Sequence, residues 1–136
     1  MTLLYIDTNI FLDAVKDRKN LLGKDISTPA TKMFFDAWSC KYQLALSTWT
    51  LEQVYKNVDI SEIAMLFNMV KKKIIKVNYD EEDKKKAEQK SKDNFEDAMH
   101  IVLAEKIKAD IIVTRNIDHF IKIGTKIDIR KPENLS

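Results

Sequence analysis

Short apolar runs recur along this 136-residue chain, and between them the apolar residues switch to helical spacing. The runs are Leu3-Leu4-Tyr5-Ile6, Tyr42 to Ser47, Ile74-Ile75-Lys76-Val77, Ile111-Ile112-Val113 and Ile127 to Ile129. Runs this short and this apolar read as strands covered on both faces. Strands that alternate with helices give a parallel sheet with helices on both sides. The expected fold is α/β, a three-layer sandwich around a central, mostly parallel sheet of four to five strands, one per run. Without repeats or linkers, residues 1–136 are expected to form one domain.

The helical stretches follow from apolar spacing and capping residues. Asn9 to Val15 carries Ile10, Phe11, Ala14 and Val15, and Asp17-Arg18-Lys19-Asn20 reads as a loop after it. Thr28 is expected as the N-cap and Pro29 as the first residue of a helix through Met33, Phe34, Ala37 and Trp38. Thr50 is expected to cap a helix containing Leu51, Val54 and Tyr55. Ser61 to Lys72 has Ile63, Leu66, Phe67 and Val70 in register, and Glu81 to Lys90 is a polar helix. Asn94 to Ile107 is the most apolar helix, with Phe95, Ala98, Ile101, Val102, Leu103 and Ala104.

Composition removes several chemistries. Only Gly23 and Gly124 are present, so no glycine-rich loop can cradle a nucleotide phosphate. One cysteine, Cys40, and two histidines make a Cys/His zinc site improbable, and no GxSxG elbow accompanies His100 or His119. The single cysteine and the lack of a leader or spanning apolar run point to a reducing cytoplasm, with no membrane attachment. A net charge of +2 does not by itself argue for nucleic-acid binding. Carboxylates are the reactive groups in good supply.

Four acidic clusters fall at comparable places in the alternation. Asp7 closes the first strand, followed by Thr8 and Asn9. Glu52 lies early in the helix after the second strand, Asp97 sits beside Glu96 near the start of the most apolar helix, and Thr114-Arg115-Asn116-Ile117-Asp118 follows the fourth strand. If strands one and four are neighbours, Asp7 and Thr114 to Asp118 emerge on one edge, the carboxyl edge where open α/β sheets bind ligands. Crowded carboxylates repel one another and call for a cation. All-oxygen donors select a hard ion, Mg²⁺ or Mn²⁺. Such ions activate water against a phosphodiester, as in two-metal nucleases. Alone, Asp7-Thr8-Asn9 also suits a helix cap or a phospho-acceptor, and Glu52 suits a first-turn acid facing the helix dipole.

The combination of Asp7-Thr8-Asn9, Glu52, Phe95-Glu96-Asp97-Ala98, Ile112-Val113-Thr114-Arg115-Asn116 and Phe120 resembles a PIN-domain ribonuclease of the VapC toxin type, over nearly the whole chain. The resemblance implies that Asp7, Glu52 and Asp97 are the principal metal ligands. Thr114 and Asn9 would orient Asp7 from behind. Related sequences place a fourth acid where this chain has Asn116 or His119; Asp118 is taken as its substitute, with Asn116 acting through water as the alternative. The implied activity is Mg²⁺- or Mn²⁺-dependent endoribonuclease action on RNA, with a cognate antitoxin and a homodimer formed around Phe34 to Trp38 and Ile63 to Val70. The alternative is a catalytically silent PIN fold that binds RNA or protein.

Other polar residues have plainer readings. Asp93, Asp97 and His100 share a helix face and read as a solvated stripe or a His–Asp pair, with a ligand role for His100 as the alternative. Asp13 reads as helix surface and Arg18 as a solvated loop residue. The lysines between Lys84 and Lys92, with Lys71-Lys72-Lys73, read either as a solvated face or as a phosphate-attracting patch. Trp38 reads as core or dimer contact, and Cys40 as a buried or neutral thiol. Trp49 is an aromatic that could stack on a base.

Overall fold

The structure, a computed structural model, describes residues 1–15 and 27–135. The expected loop Asp17 to Asn20, with Arg18, lies outside the described residues. Five strands form one parallel sheet: β1 (Thr2–Ile6), β2 (Tyr42–Ser47), β3 (Ile74–Val77), β4 (Ile111–Val113) and β5 (Asp128–Arg130), in the order β3-β2-β1-β4-β5. Parallel neighbours need crossovers, which the helices supply. Those described are α1 (Thr8–Val15), α2 (Ser27–Trp38), α3 (Thr48–Tyr55), α4 (Ile60–Val70), α5 (Glu81–Lys90), α6 (Phe95–Lys106) and α7 (Ile117–Ile123).

Strand pleating sorts the apolar residues into two cores. Leu4, Ile6, Leu44, Leu46 and Val113 face one side, where they meet Ile10 and Phe11 of α1, Met33, Phe34 and Ala37 of α2, and Ile63 and Val70 of α4. Tyr5, Ala45 and Ile112 face the other, against Ala98, Met99, Ile101, Val102 and Leu103 of α6 and Phe120 of α7. A side chain of this size stabilises the fold by roughly 1.5–3 kcal/mol when fully buried. Phe34, fully buried against Phe11, is accordingly a position where truncation to alanine costs about 3–5 kcal/mol.

Two helices begin before their expected caps. Helix α2 begins at Ser27, so Thr28 lies inside it and does not precede it. Helix α3 is capped by Ser47, whose Oγ accepts the N–H of Thr50 at 3.0 Å. Thr50 is therefore the third helical residue, and its side chain is buried. Ser47 in extended geometry is the better cap because its oxygen reaches that orphan donor. Helix α4 stops at Val70, and Lys71–Lys73 form a 3₁₀ turn into β3. Helix α7 was not anticipated; Ile117 and Phe120 fall on one face, and Gly124 ends it at φ 97°, a conformation that favours glycine. Its presence moves Asp118 into a helical first turn.

Candidate active site

Strands β1 and β4 are hydrogen-bonded neighbours with Ile6 opposite Val113, so Asp7 and Thr114 leave the sheet side by side. The Asp7 N–H still donates to the Val113 carbonyl at 3.0 Å, which extends the ladder by one residue and fixes the Asp7 backbone. Thr114 is fully buried and donates its hydroxyl to Oδ2 of Asp7 at 2.8 Å. Its Oγ1 in turn accepts the backbone N–H of Asn116 at 3.1 Å, so Asn116 acts on Asp7 through Thr114 and its main chain. Burial is the largest influence on Asp7 and raises its pKa to about 6, against the lowering effect of the Thr114 hydroxyl and the Thr8 backbone. The charge of Glu96 adds to the rise.

A polar groove of about 170 Å³ opens above Asp7, lined by Asp7, Thr8, Asn9 and Leu12 of the first crossover, Gln53 and Asn57, and Glu96, Asp97 and His100 of α6. Asp97 is half-buried in the first turn of α6. Burial, and next the charge of Asp7, raise its pKa. Its Oδ2 lies 3.4 Å from Nδ1 of the exposed His119. The structure thus brings together Asp7, Asn9, Asp97 and Thr114, as expected, and adds Glu96, Gln53, Asn57 and His100.

Glu52 and Asp118 do not join them. Both carboxylate oxygens of Glu52 accept from the Tyr79 hydroxyl, at 2.7 and 2.9 Å, outside the groove. The cause is helical phase. Gln53 of α3 and Asn57 of the turn after it line the groove, and Glu52, one residue before Gln53, stands about 100° round the helix. Asp118 is exposed and lines a separate depression of about 230 Å³ with Arg115, Asn116, Ile117, His119 and Lys131.

The surrounding polar residues also depart from the plain readings. Asp13 is buried and pairs with Arg115 Nε at 3.0 Å, and the same guanidinium reaches Glu133 at 2.9 Å. His100 is buried and contacts Asp7 rather than standing on a solvated stripe; its Nε2 lies 3.3 Å from Oδ1. Burial lowers its pKa to about 4. Cys40 is exposed, as is Trp38, which meets Phe35 edge-on. Trp49 is packed edge-on against Tyr79 and Phe95.

Among the described residues no three acidic, histidine or cysteine side chains are grouped as a ready-made metal cage. The donor set is two neighbouring carboxylates, Asp7 and Asp97, with Glu96 on the same groove. That set fits a hydrated Mg²⁺ or Mn²⁺, which keeps most of its waters and takes one or two protein carboxylates. It does not fit a four-acid cage.

Residues 4–118 match the family model of the PIN domain, and the chain belongs to that family. Among solved structures it is similar to VapBC2 from Rickettsia felis, determined with a DNA fragment from their promoter. The TM-score there is 0.61 and the identity 14%, over 96% of this chain and 98% of the other. It is also similar to VapBC-1 from nontypeable Haemophilus influenzae, with a TM-score of 0.59 and 14% identity over 96% and 98% of the two chains. FitAB bound to an IR36 DNA fragment matches with a TM-score of 0.58 and 14% identity over 98% and 97%. No curated protein sequence matches the chain.

Proposed function

We propose that this PIN domain is a Mg²⁺- or Mn²⁺-dependent endoribonuclease and the toxin of a toxin–antitoxin pair. The observation that carries the reading is the juxtaposition of Asp7 and Asp97 in one polar groove, with Asp7 anchored by Thr114 at the carboxyl edge of the sheet. Asp7 and Asp97 would hold the ion, with Glu96 a further carboxylate on the same groove. When bound, the ion supplies an activated water and charge neutralisation at the phosphodiester. Thr114 fixes the direction in which Asp7 presents its free lone pairs, while Asn9, Gln53 and Asn57 offer amide groups to substrate along the groove.

Antitoxin pairing agrees with the likeness in fold to the VapBC and FitAB structures, and RNA as substrate is what the resemblance of the sequence motifs to PIN-domain ribonucleases implies. A homodimer is supported by apolar side chains left outward on the two helices expected to carry it, Phe35 and Trp38 on α2 and Met65 on α4. A cytoplasmic location agrees with the single, exposed Cys40, and among the described residues no helix is long and apolar enough to cross a membrane. Purified protein should cleave RNA only with Mg²⁺ or Mn²⁺ present, and Asp97→Asn should abolish it. Cleavage in excess chelator would overturn the reading.

A second reading, a catalytically silent module, is favoured by one observation: Glu52 and Asp118 lie outside the groove and Gln53 lies inside it. Calorimetry with Mn²⁺ separates the two, since a silent site gives no stoichiometric binding.

A further inference from the structure

Behind the acidic groove a row of polar side chains runs into the interior. Nδ1 of His100 is 2.8 Å from the Tyr5 hydroxyl, and that hydroxyl is 2.9 Å from Oγ of Ser47. Ser47 Oγ accepts the Thr50 backbone N–H at 3.0 Å, and its one hydrogen goes either to Thr50 Oγ1 at 2.9 Å or to the Tyr5 oxygen. On the groove side, Nε2 of His100 stands 3.3 Å from both Oδ1 of Asp7 and Oγ1 of Thr8. Every member of this row is buried. Tyr5 occupies a β1 position flanked by the aliphatic Leu4 and Ile6, and Ala45 and Ile112 share its face. A polar row in such a layer is costly unless each group finds a partner, and here each one does.

The partners fix which ring nitrogen carries the hydrogen. A neutral imidazole has one donor and one acceptor, and an ionised carboxylate only accepts. The nitrogen that faces Asp7, Nε2, must then be the donor. Nδ1 is left as the acceptor, and the hydroxyl of Tyr5 is the donor within reach. Burial keeps that phenol protonated by raising its pKa well above the ordinary value.

We propose that His100 is a positioning residue for Asp7: its Nε2–H holds Oδ1 while Thr114 holds Oδ2, and the Tyr5 hydroxyl supports the ring from behind by donating to Nδ1. Asp7 is thereby gripped at both oxygens from inside the protein and keeps one orientation toward the groove. The hydrogen on Nε2 is shared between Oδ1 of Asp7 and Oγ1 of Thr8, consistent with the equal distances. The consequence for metal affinity rests on the metal-site reading above; the tautomer does not.

The test starts with the ¹⁵N-labelled full chain in chelator, read by long-range ¹H–¹⁵N correlation of the imidazoles. The chain has only two histidines, so His119→Asn assigns the spectrum. His100 is expected to show a protonated Nε2 and an unprotonated Nδ1. The opposite tautomer, or a doubly protonated ring, overturns the proposal. In folded Tyr5→Phe the Nε2–H tautomer should persist, because Asp7 still faces Nε2, while the Nδ1 resonance should shift on losing its donor; an unchanged Nδ1 resonance removes Tyr5 from the device. Mn²⁺ affinity, measured by calorimetry, should fall about tenfold or more in His100→Leu, as removal of an outer partner of a ligand does. His100→Gln, which keeps a donor toward Asp7, should stay within about threefold of the parent. Equal affinity for Leu and Gln at position 100 contradicts the positioning role. If the parent protein itself binds no Mn²⁺, the metal-site reading fails, and the tautomer of His100 still decides the proposal.

Discussion

Thr114 and Asp7 leave adjacent parallel strands at the same level, and the Thr114 hydroxyl donates to Oδ2 of Asp7 at 2.8 Å with both side chains buried. The pair is therefore a product of sheet register, since a slip of one residue would send either side chain to the opposite face. Thr114→Val keeps the shape of the side chain and removes the donor. A hydrogen bond to a charged group contributes about 1.5–3 kcal/mol, so urea unfolding near neutral pH should show a loss of about 2 kcal/mol. Thr114→Ser should recover most of it. Equal stability of the valine and serine variants would show that the hydroxyl does not support Asp7.

The same burial sets a pH dependence of stability with a definite sign. The pKa of Asp7 is raised on folding, from 3.8 to about 6, so the neutral carboxyl favours the folded state. This contribution is complete below pH 3.8 and is lost as pH rises through about 6. His100 runs the other way: its pKa is lowered on folding from 6.5 to about 4, so its contribution is present above 6.5 and is lost as pH falls through about 4. The two trends oppose each other between about pH 4 and 6.5. Asp7→Asn removes one of them. Its stability relative to the parent is expected to improve by up to about 3 kcal/mol between pH 4 and pH 7, at 1.36 kcal/mol per pKa unit. Denaturant midpoints at the two pH values check this, and an unchanged difference contradicts it.

Arg115 joins helix α1 to the start of the β4–α7 connection through Asp13, a carboxylate 2% exposed. Arg115→Met removes the charge-assisted hydrogen bond to Asp13, and such a bond contributes about 1.5–3 kcal/mol. Arg115 is itself partly exposed, which places Arg115→Met near the lower end of that range. The expected result is a lower melting temperature, with the double variant Asp13→Leu/Arg115→Met recovering part of the loss. No recovery would mean that the two residues act independently.

The strand pattern was legible because runs such as Ile111-Ile112-Val113 are too short and too apolar to be anything but covered strands, and the carboxyl edge followed from their parallel order. Asp7, Asp97 and Thr114 were legible for the same reason: each stands within a residue or three of a strand or helix end whose place the alternation determines. What the sequence concealed was rotation. Thr50 and Ser47 are both good caps, and the apolar residues of α3 are too few to show whether Glu52 or Gln53 turns to the groove. In the structure Gln53 lines it and Glu52 meets Tyr79. Helix α7 was hidden by its length, since Ile117 and Phe120 alone are too few to display a period. Asp118 accordingly stands in the first turn of α7 and lines the separate depression. His100 and Asp13 sit on helices beside charged neighbours, and only packing shows that both face inward.

Gln53 turns that rotation into a test. It lies on the face of α3 that lines the groove opposite Glu96 and Asp97, whereas both oxygens of Glu52 are engaged by Tyr79. Gln53→Glu is nearly isosteric and adds a carboxylate to the two neighbouring acids already present. In the absence of a cation the added charge should repel Asp7 and Asp97, raise their pKa values further and lower stability. With Mn²⁺ present the same charge should attract the ion and increase its affinity, so the variant should be less stable than the parent in chelator and gain more from added Mn²⁺. Glu52→Gln should change neither quantity, because its carboxylate does not face the groove. Thermal unfolding of the three proteins with chelator and with Mn²⁺ reads both effects at once. A response from Glu52→Gln, with none from Gln53→Glu, would place Glu52 rather than Gln53 beside the ion.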